Sequence, residues 1–281
     1  MLARNVEWLI AWRFVQALGG CAAAESWDGF SGVENDAGEA RDSGFDARTN
    51  DAGVSPVLDG STVDASVADA KTIDFVQGSS FTSNGNPTTT SSVTFDKQAQ
   101  IAGDLNVVIV GWYDSNANIV SGTGVADTSG NTYRLATGPT TEAAGPLVQS
   151  IYYASGIKAA AAGANKITIT FDTATDPPDI RALEYSGLDP VSPFEAANGG
   201  AGVGLTATSG AVTTTHAPVL LVAGGTTESE VTVAGSMFTL RIITADSNLA
   251  AARIVTAPGM FSTDAPISAS KGWILQLAAF H

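Results

Sequence analysis

From Ile73 onward the chain is written in short runs of alternating apolar and polar residues, with turn residues between them. The alternation predicts strands over Val93–Phe95, Leu105–Tyr113, Thr132–Ala136, Val148–Tyr153, Lys166–Asp172, Ile180–Ser186, Val219–Ala223, Phe238–Thr244, Arg253–Thr256 and Trp273–Phe280. In Lys166–Asp172 the side chains of Ile167, Ile169 and Phe171 point one way and Lys166, Thr168, Thr170 and Asp172 the other, as on a strand with one buried face. Leu105–Trp112 is apolar on both faces, which predicts a central strand. The stretches 127–131 (DTSGN) and 83–86 (SNGN) are turn clusters. Lys158–Ala164 is rich in Ala, but it is short and bracketed by Gly156 and Gly163, and no segment carries a convincing helical period. The expected fold class is therefore all-β: an antiparallel, jelly-roll-like β-sandwich over 73–281, preceded by a disordered acidic linker.

The pattern upstream is different. Arg4 precedes two apolar stretches, Trp8–Trp12 and Phe14–Leu18, and small residues follow, the order of a secretory signal. Glu7 and Arg13 interrupt the stretch, and it is shorter than the ~20 apolar residues a permanent span needs. Leu18-Gly19-Gly20-Cys21 resembles a bacterial lipobox, and Cys21 is the chain's single cysteine. The resemblance implies a lipoprotein-type signal over 1–20, with Cys21 the point of lipid attachment. Cleavage after Ala24 for ordinary secretion is a second reading, and an amphipathic leader or a misassigned start a third. A lipid-modified cysteine carries more than one acyl chain, which holds a protein stably on a membrane.

Between them, residues 21–72 repeat Asp with Ala or Gly and hold few large apolar residues. Such a stretch cannot bury enough surface to offset its ordering entropy, which predicts a spacer. Its Asp residues lie too far apart for a calcium loop of the EF-hand type.

The charge follows the same division. Net charge is −15. Residues 25–74 carry twelve acids against Arg41, Arg48 and Lys71, or −9. Residues 75–281 carry fifteen acids against eight bases, or −7. Thirteen basic residues on so acidic a chain exclude nucleic acid as the expected partner, because phosphate recognition needs a Lys/Arg patch. One cysteine excludes a disulfide scaffold.

Few residues carry candidate chemistry. His216 and His281 are the only histidines. His216 reads as a surface imidazole in a polar stretch and His281 as a frayed terminus, and no G-x-S-x-G is present. Asp172, Asp176 and Asp179 share a segment joining two strands, which reads first as a polar turn and second as a sugar or cation contact, with calcium the cation its oxygens would suit. No other cofactor and no further metal is expected. Trp112 and Tyr152 are candidate ligand contacts, although such aromatics more often fill a core. The Gly-rich run Asn198–Gly204 lacks a following Gly-Lys pair and reads as a flexible loop rather than a phosphate cradle.

The succession Gly111-Trp112-Tyr113, Asp127–Tyr133, Gln149–Ala154, Ile180–Gly187, Leu220–Thr226 and Gly272–Phe280 resembles secreted bacterial β-sandwich domains. With the acidic spacer behind a lipobox, it resembles surface lipoproteins of the myxobacterial type. The resemblance implies jelly-roll-like architecture, no established catalytic motif, and export to the outer membrane or cell surface, or secretion. The expected role is non-enzymatic: a surface module that binds polysaccharide or protein, attached to the membrane through its lipid. A hydrolase or lyase using carboxylates on a jelly-roll scaffold is the alternative, and a purely structural module a third.

Overall fold

The structure, a computed structural model, describes residues 72–82, 85–176 and 178–281. The expected signal, Cys21 and the spacer as far as residue 71 lie outside the described residues. Among those described there is no helix, and every strand pairing is antiparallel.

The first half runs β1 (Asp74–Thr82), β2 (Thr88–Thr94), β3 (Leu105–Tyr113), β4 (Val125–Asp127), β5 (Arg134–Thr141), β6 (Leu147–Ser155), β7 (Lys166–Thr175) and β8 (Asp179–Ser186). The second runs β9 (Phe194–Thr208), β10 (Val212–Thr214), β11 (Val219–Thr227), β12 (Thr239–Ile243), β13 (Leu249–Val255), β14 (Gly259–Phe261) and β15 (Asp264–Phe280).

The two halves share one plan. The first builds a five-stranded sheet in the order β1-β8-β3-β6-β5 and a small sheet β2-β7-β4. The second builds β9-β15-β11-β13-β12 and a small sheet β10-β14. In each half the opening strand pairs with the closing one, and the closing one with the central strand. The second strand pairs with the strand before the last. First with eighth, second with seventh and third with sixth is the nested pairing of a jelly roll. The single sandwich expected from sequence is thus a jelly-roll plan used twice, with the counterpart of β4 missing from the second half.

Three apolar clusters separate four layers. Val93, Phe95, Val108, Val110, Trp112, Ile167, Ile169 and Phe171 fill the first half. Val219, Leu221, Phe238, Ala251, Trp273, Leu275 and Leu277 fill the second. Val107, Ile109, Ile151, Leu183, Leu220, Val222, Ala278 and Phe280 join the two large sheets back to back. This explains why β3 is buried at all but its last residue, and β11 throughout: each is a middle strand with a layer on both sides, as their unbroken apolar runs require. Burying each such Val, Leu or Ile contributes about 1.5–3 kcal/mol.

Polar side chains also cross the seam. Arg181 on β8 is fully buried and reaches the second half. Its Nη1 donates to the carbonyls of Gly225 and Leu249, each at 2.6 Å. Its Nη2 donates to Thr226 Oγ1 at 3.0 Å and Gln149 Oε1 at 3.3 Å. Nε lies 2.7 Å from Asp179 Oδ1. Burial pushes the guanidinium below its ordinary pKa and Asp179 acts against that. Gln149 Nε2 donates to Gly224 O at 2.8 Å and to Gln276 Oε1 at 3.1 Å. The sheets come this close because Gly111 and Gly224 face each other's strands. A Cβ on Gly111 would overlap Thr226 Oγ1, and one on Gly224 would sit 2.7 Å from Ile109 Cγ2.

Two expectations are corrected. Asn198–Gly204 is not a loop but the middle of the edge strand β9. Its glycines leave room for the Trp273 indole, since a Cβ on Gly202 would lie 3.0 Å from Trp273 Cζ2. His281 is not frayed. Its N–H donates to Pro193 O at 2.8 Å and its carbonyl accepts from Asp189 N at 2.9 Å.

Candidate functional site

At one end of the seam, the C-terminal ends of both central strands open into a cleft of about 730 Å³. Gly111, Trp112 and Tyr113 enter it from β3, and Thr226 and Thr227 from β11, with Glu228, Ser229 and Glu230 following. Asp176 and Asp179 border it from the β7–β8 turn, and Asp246, Ser247 and Asn248 from the β12–β13 turn. The local reason is the same on both strands. Each runs apolar through the core and turns polar where the layers end, so its first polar residues meet at one rim.

The rim is held by hydrogen bonds. The Tyr113 hydroxyl donates to Glu228 Oε1. That bond, then partial burial and the negative charges of Glu228, Asp176 and Glu142, push the phenol up to about 12. Tyr113 therefore stays protonated near neutral pH, with the residue 42% exposed and its hydroxyl held by Glu228. Glu228 Oε2 accepts from Gly272 N at 3.1 Å, and Thr227 Oγ1 donates to Gly272 O at 3.1 Å. Asn248 Oδ1 accepts from Thr227 N at 3.0 Å. Burial and then Asp179 raise the pKa of Asp246. The result is a fixed wall of carboxylates and hydroxyls beside one exposed phenol ring, able to hydrogen-bond hydroxyl groups and to attract positive charge.

The candidate residues divide between two places. Asp176, Asp179 and an edge of Trp112 border the cleft. Asp179 is 2% exposed, with its carboxylate engaged by Arg181 and by Thr82 Oγ1 at 3.3 Å, so its role is to hold Arg181. Trp112 is also 2% exposed, donates Nε1 to Ala117 O at 3.0 Å, and meets Phe171 edge-on. It is a core residue. Tyr152 lines, with Trp112 and Asn118, a separate hollow of about 150 Å³. Asp172 accepts from Asn118 N at 2.9 Å and Nδ2 at 3.2 Å, and these bonds lower its pKa. β7 runs through Asp172 as far as Thr175, so only a short turn separates it from β8, and Asp172 stays out of the cleft.

Sequence reading missed Glu228, Glu230 and Asp246. A signal was available for the first two: Thr226-Thr227-Glu228-Ser229-Glu230 ends an apolar central strand just as Tyr113-Asp114-Ser115 ends the other.

A second polar constellation, inside the first half, is structural. Gln77 Nε2 donates to the buried Glu184 at 2.6 Å. Gln100 Nε2 donates to Asn106 Oδ1 at 2.9 Å, and Asn165 Nδ2 to Gln100 Oε1 at 2.7 Å. The Tyr133 hydroxyl donates to Asp127 Oδ2 at 3.0 Å. Burial acts to raise the pKa of Asp127, but hydrogen bonds from Asn131, Asn165 and Tyr133 outweigh it and lower the carboxyl. Set against known proteins, the chain matches no family model, no curated protein and no solved structure.

Proposed function

We propose that this protein is an exported, lipid-anchored surface protein whose sandwich is a non-enzymatic binding module. The acidic cleft is its ligand site, and the ligand is polyhydroxylated, of the carbohydrate class. The observation that carries this reading is the cleft itself. Its volume falls in the ~300–1,000 Å³ range of small-ligand sites. Its lining offers carboxylate and hydroxyl partners for a sugar's hydroxyls, and the fixed Tyr113 ring offers an apolar face for its C–H groups. Binding is favoured over catalysis because the acid closest to the core, Asp179, is committed to Arg181, and because neither histidine borders the cleft.

A glycan and polysaccharide array tests this, run with and without calcium. A specific hit is expected, weakened at least tenfold by Tyr113→Ala and by Glu228→Gln. No hit, or a hit indifferent to both changes, removes the reading. Attachment is tested separately by feeding cells a labelled lipid precursor. Label should enter the wild type and not Cys21→Ala, and equal labelling of both would refute the anchor.

A further inference from the structure

The chain has two histidines, 65 positions apart, and the fold stacks one on the other. The rings of His216 and His281 lie 3.8 Å apart between centroids and 8° from parallel. Glu195 completes the group. One ligand-capable atom from each of the three lies within 4.8 Å of the other two. They come from three separate pieces of the second half: Glu195 from the start of β9, His216 from the turn before β11, and His281 from just beyond β15. The cleft is at the far end of the same strand pair. The β11–β15 register runs from Thr227 opposite Trp273 to Leu220 opposite Phe280, about 24 Å of strand.

The hydrogen bonding of Glu195 is one-sided. Oε1 accepts from Thr215 N, from Thr215 Oγ1 at 2.8 Å and from His216 N at 3.1 Å, and it lies 3.2 Å from His216 Nδ1. Oε2 is buried without a partner, on a side chain only 7% exposed. His281 Nδ1 is likewise buried without a partner. A buried acceptor and a buried ring nitrogen left unsatisfied within one three-residue group are unfavourable, and such groups call for an explanation. Loop closure accounts for Oε1 and not for Oε2. Binding a dication would satisfy both orphaned atoms together.

We infer that Glu195, His216 and His281 form a three-ligand site for a divalent transition-metal ion, with zinc the preferred ion. Two imidazoles and a carboxylate are the donor set such ions favour, and three protein ligands leave a coordination position for water or a further ligand. Donor atoms around tetrahedral zinc lie ~3.4 Å apart, given bonds of ~2.1 Å. The present spacing therefore has to contract. The stacked rings must also turn out of parallel so that both point at one ion. His216 is able to do this because its side chain is 54% exposed. Because the ligands come from three segments, the ion would clip the start of β9, the β10–β11 turn and the end of β15 together. Ligation confined to the folded state stabilises it.

The test is calorimetric titration of the chelator-treated protein with zinc chloride. One saturable site of unit stoichiometry is expected, along with a rise in Tm on adding zinc. Glu195→Gln, which keeps an oxygen acceptor for the loop, and His281→Ala should each weaken that site at least tenfold and abolish the rise. His216→Asn is the decisive variant, because a half-exposed side chain can change without unfolding the protein. It should weaken zinc equally and remove the tetrahedral cobalt(II) absorption seen when cobalt replaces zinc. No saturable zinc site in the wild type overturns the proposal, as does His216→Asn binding zinc with wild-type affinity. Zinc held only by the acidic cleft would appear as binding that survives all three variants, and also overturns it.

Discussion

In the first half, β8 carries Arg181 and Glu184 into the interior, whereas its counterpart β15 carries Gln276 and then Ala278, Ala279 and Phe280. Arg181 stands opposite Ile109 on one central strand, and Ala278 stands opposite Val222 on the other. The plan is the same and the filling differs. The first half encloses a network of Gln77, Gln100, Asn106, Asp127, Asn165 and Glu184. The core of the second is Ala, Val and Leu with Phe238 and Trp273. Nested strand pairing therefore does not depend on one kind of core. It requires only that each central strand be covered on both faces.

The largest effect at the seam between the halves is expected from Arg181→Met. It removes the charge that one half sends into the other, leaves Asp179 buried and unpaired, and takes the donor from two carbonyls. Removing one partner of a buried pair costs about 3–5 kcal/mol. For a domain of this size, Tm should fall by roughly 6–20 °C. The double change Arg181→Met with Asp179→Asn should recover part of the loss, since no charge is then stranded. A Tm within 2 °C of wild type for the single variant would show that the seam does not rest on this group.

A smaller effect is expected where the two sheets come closest. Gly111→Ala would press against Thr226 Oγ1 and Gly224→Ala against Ile109 Cγ2, one from each side of the seam. Overpacking of this kind costs about 1–3 kcal/mol. If the halves bear on each other symmetrically, the two losses should agree within about 1 kcal/mol in urea unfolding. A loss confined to one variant would show that only one sheet is held rigidly there.

Much of this was legible in the sequence, for a physical reason. Strands with one or two wholly apolar faces announce themselves, as Leu105–Tyr113, Lys166–Asp172 and Trp273–Phe280 did. Strands whose environment is set by a partner do not. The middle of β1 is Gln77-Gly78-Ser79-Ser80, and the burial of Gln77 and Gly78 follows from pairing with β8. β9 reads as a loop because its glycines answer to Trp273, far along the chain. The front of β13 is mostly alanine, which carries a weak apolar signal. The repeat was hidden as well, because strand order and not residue identity carries it. For the site, the local sequence placed Asp176 and Asp179 together, but the contribution of the β12–β13 turn and the meeting of the two histidines are products of topology.

The finest distinction between the halves is in acid–base behaviour. Glu184 is a fully buried acid of the first half, whereas among the described residues no Asp or Glu of the second half is buried to that degree. Burial raises its carboxyl above the ordinary value. Gln77 and Gln100 pull the other way by hydrogen bonding, and the charge of Asp104 adds to the rise. A carboxyl whose pKa is higher folded than unfolded holds its proton more tightly in the folded state. Its favourable contribution is complete below the unfolded value of about 4.3 and is lost as pH rises through the folded value. Glu184→Gln keeps an oxygen to accept from Gln77 and cannot ionise. Its stability relative to wild type should therefore increase as pH rises from about 4.3 through the folded value of Glu184, and level off above it. Asp127, whose carboxyl is lowered on balance, should do the reverse: wild type loses its advantage over Asp127→Asn as pH falls through the folded value. Denaturant unfolding across the acid range measures both slopes. Slopes of the same sign, or a Glu184→Gln variant that loses stability towards neutral pH, would mean that the network stabilises the ionised carboxylate after all.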